Sequence, residues 1–167
     1  MNKIYFLIGA SGAGKTTAVK ELEKGRNDIQ FCYFDSIGVP SNEEMVKEYG
    51  SGENWQKAKT IEWVKRIKKE FLKDKPVILD VQTRPEFIQI ACQENNIQNY
   101  QVILFDCSDE IRTQRLIVRG RPELANKEML NWANFLRSES KKYNYSIVDT
   151  SGILLSDMAS TLEKALQ

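Results

Sequence analysis

Gly9-Ala10-Ser11-Gly12-Ala13-Gly14-Lys15-Thr16 is a glycine-rich loop between an apolar, β-rich run, Lys3–Ile8, and a helical pattern over 15–24. Its order is Gly, four residues, Gly-Lys and then Thr, the spacing of a phosphate-binding P-loop in its strand–loop–helix setting. The chemistry requires that order. Small residues let successive backbone N–H groups curl around a phosphate, and the helix N-terminus adds partial positive charge. Lys15 is then placed for the β- and γ-phosphates, and the Thr16 hydroxyl for Mg²⁺. Composition alone produces such a match in roughly one chain of this length in several hundred. The loop predicts a bound nucleoside triphosphate, held by Gly9, Ser11, Gly12, Ala13, Gly14, Lys15, Thr16 and Thr17.

The remaining composition narrows the chemistry. A chain of 167 residues suits one compact domain over 1–167, and 41% hydrophobic with 28% charged residues is ordinary for a globular protein. The net charge of +1 gives no field for nucleic acid or for an anionic membrane surface. There is no histidine, which excludes histidine general acid–base catalysis, Ser-His-Asp triads and His-ligated zinc. Cys32, Cys92 and Cys107 lie far apart with no C-x-x-C pairing, so they read as small buried hydrophobes in a reducing, cytoplasmic setting. The N-terminal apolar patch is too short for a signal peptide and runs into the loop, and no apolar run approaches a membrane span.

Strand and helix patterns alternate along the chain. Strands are predicted over 3–8, 29–34, 77–80, 100–106 and 145–148. Helices are predicted over 15–24, 42–49 (capped by Ser41), 54–72, 86–95, 109–119, 127–142 and 156–166. That alternation implies an α/β domain with a parallel sheet covered on both faces. Ligands in such sheets bind beyond the carboxyl ends of the strands, where this chain places Asp35, Asp80, Asp106 and Asp149. Trp55, Trp63 and Trp132 read as packing rather than as a base-stacking platform.

Three further segments carry a resemblance. Arg112-Thr113-Gln114-Arg115-Leu116-Ile117-Val118-Arg119-Gly120-Arg121 resembles an Arg-rich lid, Asp80 and Arg84 resemble a nucleotide-kinase pair, and Asp35 to Met45 resembles a gluconate-kinase acceptor segment. That last segment lacks the family's histidine and has Ser36 where a second acid is usual. Over nearly its whole length the chain resembles the P-loop small-molecule and nucleotide kinases, the group of adenylate, shikimate and gluconate kinases. The resemblance implies a three-layer α/β/α domain with a five-stranded parallel sheet in order 2-3-1-4-5. It also implies an acceptor-binding helical insert over about residues 36–73 and a lid over about 112–127. ATP and Mg²⁺ follow from it, with Thr16 on the metal and Asp80 holding it through water. Lys15, Asp35, Arg115 and Arg119 become the expected catalytic residues, and Asp35, Asp80 and Arg84 the acceptor-binding ones. In this reading the chain is a cytoplasmic kinase of a small polar metabolite, sugar-acid-like or another hydroxyl acceptor, acting as a monomer or homodimer without nucleic acid or membrane. Two alternatives stay open: a nucleoside or nucleotide kinase, and an ATP-driven switch acting on a protein partner.

Overall fold

The computed structural model describes residues 2–167. Strands β1 (Ile4–Ile8), β2 (Gln30–Tyr33), β3 (Val77–Asp80), β4 (Tyr100–Asp106) and β5 (Ser146–Asp149) form one sheet in the order β2-β3-β1-β4-β5. Every pairing is parallel. The helices are α1 (Lys15–Glu23), α2 (Asn42–Tyr49), α3 (Gly52–Glu70), α4 (Pro85–Glu94), α5 (Asp109–Val118), α6 (Lys127–Lys142) and α7 (Met158–Ala165).

Side-chain alternation along β1 builds two cores, because successive residues of a strand face opposite sides of the sheet. Ile4, Phe6 and Ile8 join Trp63, Val64 and Ile67 of α3, Ile88 and Ala91 of α4, and Leu136 of α6. Leu7 points the other way, into Ala18, Val19 and Leu22 of α1 and Met158 and Leu162 of α7. Burying each such large side chain stabilises the fold by about 1.5–3 kcal/mol. The result is the expected three-layer sandwich, with every strand's carboxyl end on one rim. Among the described residues no helix is long and apolar enough to cross a membrane.

Several element limits differ from the sequence expectation, each for a local reason. β2 stops at Tyr33, and Phe34–Ile37 turns into a 3₁₀ helix, so Asp35 lies in a turn rather than at a strand tip. α2 carries a full capping box between Ser41 and Glu44 and ends at Gly50, whose φ of 82° suits glycine. Ser51 then accepts from the Asn54 N–H, which lets α3 start at Gly52 instead of Asn54. Tyr145 N–H donates to Ser140 O at 2.8 Å and closes the α6 end, so β5 begins one residue later than the aromatic pattern suggests. The predicted last helix is preceded by a 3₁₀ turn at Leu155–Asp157 and begins only at Met158. All three cysteines are buried and free. Burial pushes the Cys92 thiol up to about 12 and Cys32 to about 11, so both behave as inert hydrophobes.

Candidate active site

The glycines at 9 and 14 are dictated by backbone geometry. A Cβ on Gly9 would stand 2.3 Å from the Phe105 carbonyl oxygen, and Gly14 caps α1 with a φ of 93°. No side chain caps α1, and its first turn holds no acid, so the first N–H groups and their partial positive charge face the loop's interior. Lys15, buried to 8% exposure, follows directly. Its Nζ lies 3.7 Å from Asp80 Oδ1. The Thr16 hydroxyl donates to Asp80 Oδ2 at 2.6 Å. Asp80, at the carboxyl end of β3, thus fixes both side chains that follow the loop.

Asp35 meets this group across a cavity of about 460 Å³ bordered by the loop, Tyr33, Asp35, Asp80, Gln82 and Arg119. Its turn is held from behind by α3: Trp63 Nε1 donates to the Phe34 carbonyl at 3.2 Å, and Trp55 meets the Phe34 ring edge-on at 5.9 Å. Two tryptophans expected only to pack therefore also position Asp35. Burial raises the Asp35 carboxyl above its ordinary value, the Asp80 charge adds to this, and Lys15 opposes it. Thr16 and Asp80 present hard oxygen donors side by side, which suits Mg²⁺. No cluster of three or more metal-ligating acids, cysteines or histidines occurs among the described residues.

The arginines of α5 divide into two roles. Arg112 is 1% exposed and points away from any lid: it donates to Asp106 Oδ1 at 2.8 Å, to Ser11 O at 3.0 Å and to Cys107 O. Arg137 of α6 takes the other Asp106 oxygen at 2.6 Å. Arg115 is engaged entirely with protein oxygens, those of Gly12, Thr150 and Ile153. In this arrangement both its Nη groups are used, and Arg115 is a strut between the loop and the segment after β5. Arg119, the C-cap of α5, borders the cavity beside the loop. A second, more apolar cavity of about 510 Å³ opens on the other side of the loop, between Ile111, Gln114, Val118, Ser151 and Leu155, and both Arg115 and Arg119 also border it. Of the other strand-end acids, Asp106 serves the arginines, and Asp149 accepts from the Ser151 N–H and Oγ, which hold its carboxyl below the usual range.

Arg84 sits at the N-cap of α4, with Nη2 3.1 Å from Glu53 Oε2. Its guanidinium lies over the rings of Trp132 and Phe135, at 5.7 and 4.9 Å.

No family model matches the chain, and no curated protein matches it in sequence. Solved structures do match it. Shikimate kinase from Acinetobacter baumannii in complex with shikimate superimposes with a TM-score of 0.62 at 18% identity, over 99% of this chain and 93% of the other. A gluconokinase from Sinorhizobium meliloti gives 0.66 at 15% identity, over 99% and 91%. A tunicamycin resistance protein from Deinococcus radiodurans gives 0.68 at 15% identity, over 99% and 96%. The chain has the P-loop kinase fold. The sheet order β2-β3-β1-β4-β5 agrees with it.

Within the P-loop kinase fold, the structure brings Lys15, Thr16, Asp35, Asp80 and Arg119 to one cavity, while Arg84 borders an adjoining recess. The sequence singled out 149–152 as resembling an adenine-contacting loop but gave the Thr150 side chain no role, and it gave Glu53 and Gln82 none. Thr150 is fully buried, and its hydroxyl lies 2.8 Å from Ala13 O and 3.1 Å from Asp106 O, joining the P-loop to β4 and β5. The signal for Gln82 was present, since it follows Asp80 by two residues and an extended chain turns both to one side. Glu53 carried no such signal.

Proposed function

We propose that the chain is a phosphotransferase that moves the γ-phosphoryl group of ATP onto a hydroxyl of a small polar metabolite. The observation that carries this reading is the convergence of Lys15, Thr16, Asp80, Asp35 and Arg119 on one cavity at the carboxyl rim of the sheet. The P-loop N–H groups and Lys15 bind the phosphates, and the second cavity, beside Gln114 and Ser151, receives the base. Mg²⁺, held by Thr16 and through water by Asp80, supplies neutralisation of phosphate charge when bound. Asp35 orients the acceptor hydroxyl and takes its proton as the oxygen bonds to phosphorus. The bond from phosphorus to the β–γ bridging oxygen breaks, and ADP leaves. Arg119 stabilises the negative charge on the transferring group, while Arg112 and Arg115 fix the root of the lid segment, about residues 112–127. Residues about 36–73 border the acceptor. The buried, unpaired cysteines support a reducing, cytoplasmic setting.

The test is coupled ADP release across a panel of sugars, sugar acids, nucleosides and nucleotides. Acceptor-dependent ADP with a phosphorylated product is expected. A basal rate that no small molecule changes, but a protein partner does, would overturn the reading in favour of a switch.

A further inference from the structure

The cavity beside the P-loop shares Gln82 with a recess of about 190 Å³ that is also bordered by Glu53, Gln56, Arg84 and Trp132. Arg84 is the cation of this recess, and Glu53, 3.1 Å from it, is its acid. The two formal charges cancel. The aromatic faces of Trp132 and Phe135 under the guanidinium, and its place at the start of α4, keep Arg84 from swinging toward a distant anion. Behind the pair, Gln56 Nε2 donates to Gln82 O at 3.0 Å, and the Thr60 and Thr83 hydroxyls meet at 2.9 Å, so the wall joining α3 to the segment before α4 is rigidly bonded. Trp132 Nε1 is shielded from solvent with no partner among the described residues.

These groups fit one kind of acceptor. A carboxylate or phosphate that reached Arg84 would either displace Glu53 or lie beside its like charge, and among the described residues no second cation borders the recess to compensate. Vicinal hydroxyls satisfy the pair as it stands, donating to Glu53 and accepting from Arg84. Building on the phosphotransferase reading above, we infer that the acceptor is a neutral polyhydroxy compound, a sugar or cyclic polyol. Glu53 is then the specificity-determining residue that discriminates against acidic acceptors.

The experiment compares kcat/KM at saturating ATP for matched pairs, glucose against gluconate and glucuronate, and inositol against shikimate, in the wild type and in Glu53→Gln. Binding of each compound is measured in parallel by thermal protection. Glu53 is well exposed, with 57% of its side-chain surface accessible, so the substitution leaves folding intact. The wild type is expected to favour the neutral member by about tenfold, and Glu53→Gln to shift that ratio toward the acid by about tenfold, because it frees the Arg84 charge. Equal or better use of the acids by the wild type, or a ratio unmoved by Glu53→Gln, overturns the inference and leaves the phosphotransferase reading standing. Basal ADP release and no binding across all pairs overturn both.

Discussion

Replacing Arg112 by Ala removes a buried cation that joins three segments: the P-loop at Ser11 O, the end of β4 at Asp106 and Cys107, and its own helix α5. Breaking a buried pair from one side typically costs about 3–5 kcal/mol, because the remaining charge is left uncompensated. Here Asp106 keeps Arg137, 2.6 Å away, and its side chain is 12% exposed, so the loss falls near the lower bound, about 3 kcal/mol. For a chain of this size each kcal/mol lowers Tm by about 2–4 °C, which gives a fall of about 6–12 °C. Arg137→Ala is the control. Its side chain is 31% exposed and solvent screens the pair, so it should lose only about 1 kcal/mol, or about 2–4 °C. Calorimetric unfolding of both variants, with and without ATP, measures the difference. The Arg112 variant should also gain less from ATP, since the Ser11 carbonyl has lost its anchor. Equal shifts for the two variants, or a shift under about 2 °C for Arg112→Ala, would refute the assignment of Arg112 as the buried member on which the loop depends.

Two further expectations concern the site. Arg119→Ala should lower kcat by about 100-fold or more with little change in ATP affinity. Arg115→Ala should instead weaken ATP binding and lower Tm, because its bonds run to the P-loop and to Thr150; matching losses in kcat for both would merge their roles. Asp35→Asn should reduce turnover by about 10²–10⁴-fold, and the acidic limb of the wild-type kcat/KM profile should lie above the ordinary aspartate value of about 4. The sign for stability follows from the same raised carboxyl. Above its folded-state pKa the ionised Asp35 disfavours folding, so Asp35→Asn should raise Tm at neutral pH. That gain should shrink as pH falls through the folded value and vanish below the ordinary one. A Tm gain that persists at pH 3 would point to packing rather than charge.

The geometry of the glycine-rich loop was legible because it is local. The loop, its strand and its helix are contiguous, and glycine at 9 and 14 answers a backbone demand set within a few residues. Asp80 was legible as well, since a short buried strand fixes where its last residue emerges. The arginines were only half legible. A spacing of three or four places Arg112, Arg115 and Arg119 near one helix face, but the rotation of α5 about its axis decides what that face meets. Packing turned Arg112 and Arg115 onto the P-loop and left Arg119 at the cavity.

By itself, then, the sequence determined the alternating α/β architecture and the glycine-rich loop between β1 and α1, because hydrophobic period and glycine placement act through neighbours in the chain. Only the tertiary structure decided which arginines are bonded to protein oxygens and which acid stands beside Arg84. Glu53 and Arg84 are 31 residues apart and meet because the starts of α3 and α4 are brought together. Contacts of that range depend on how packed faces dock, and no local pattern in either segment encodes them.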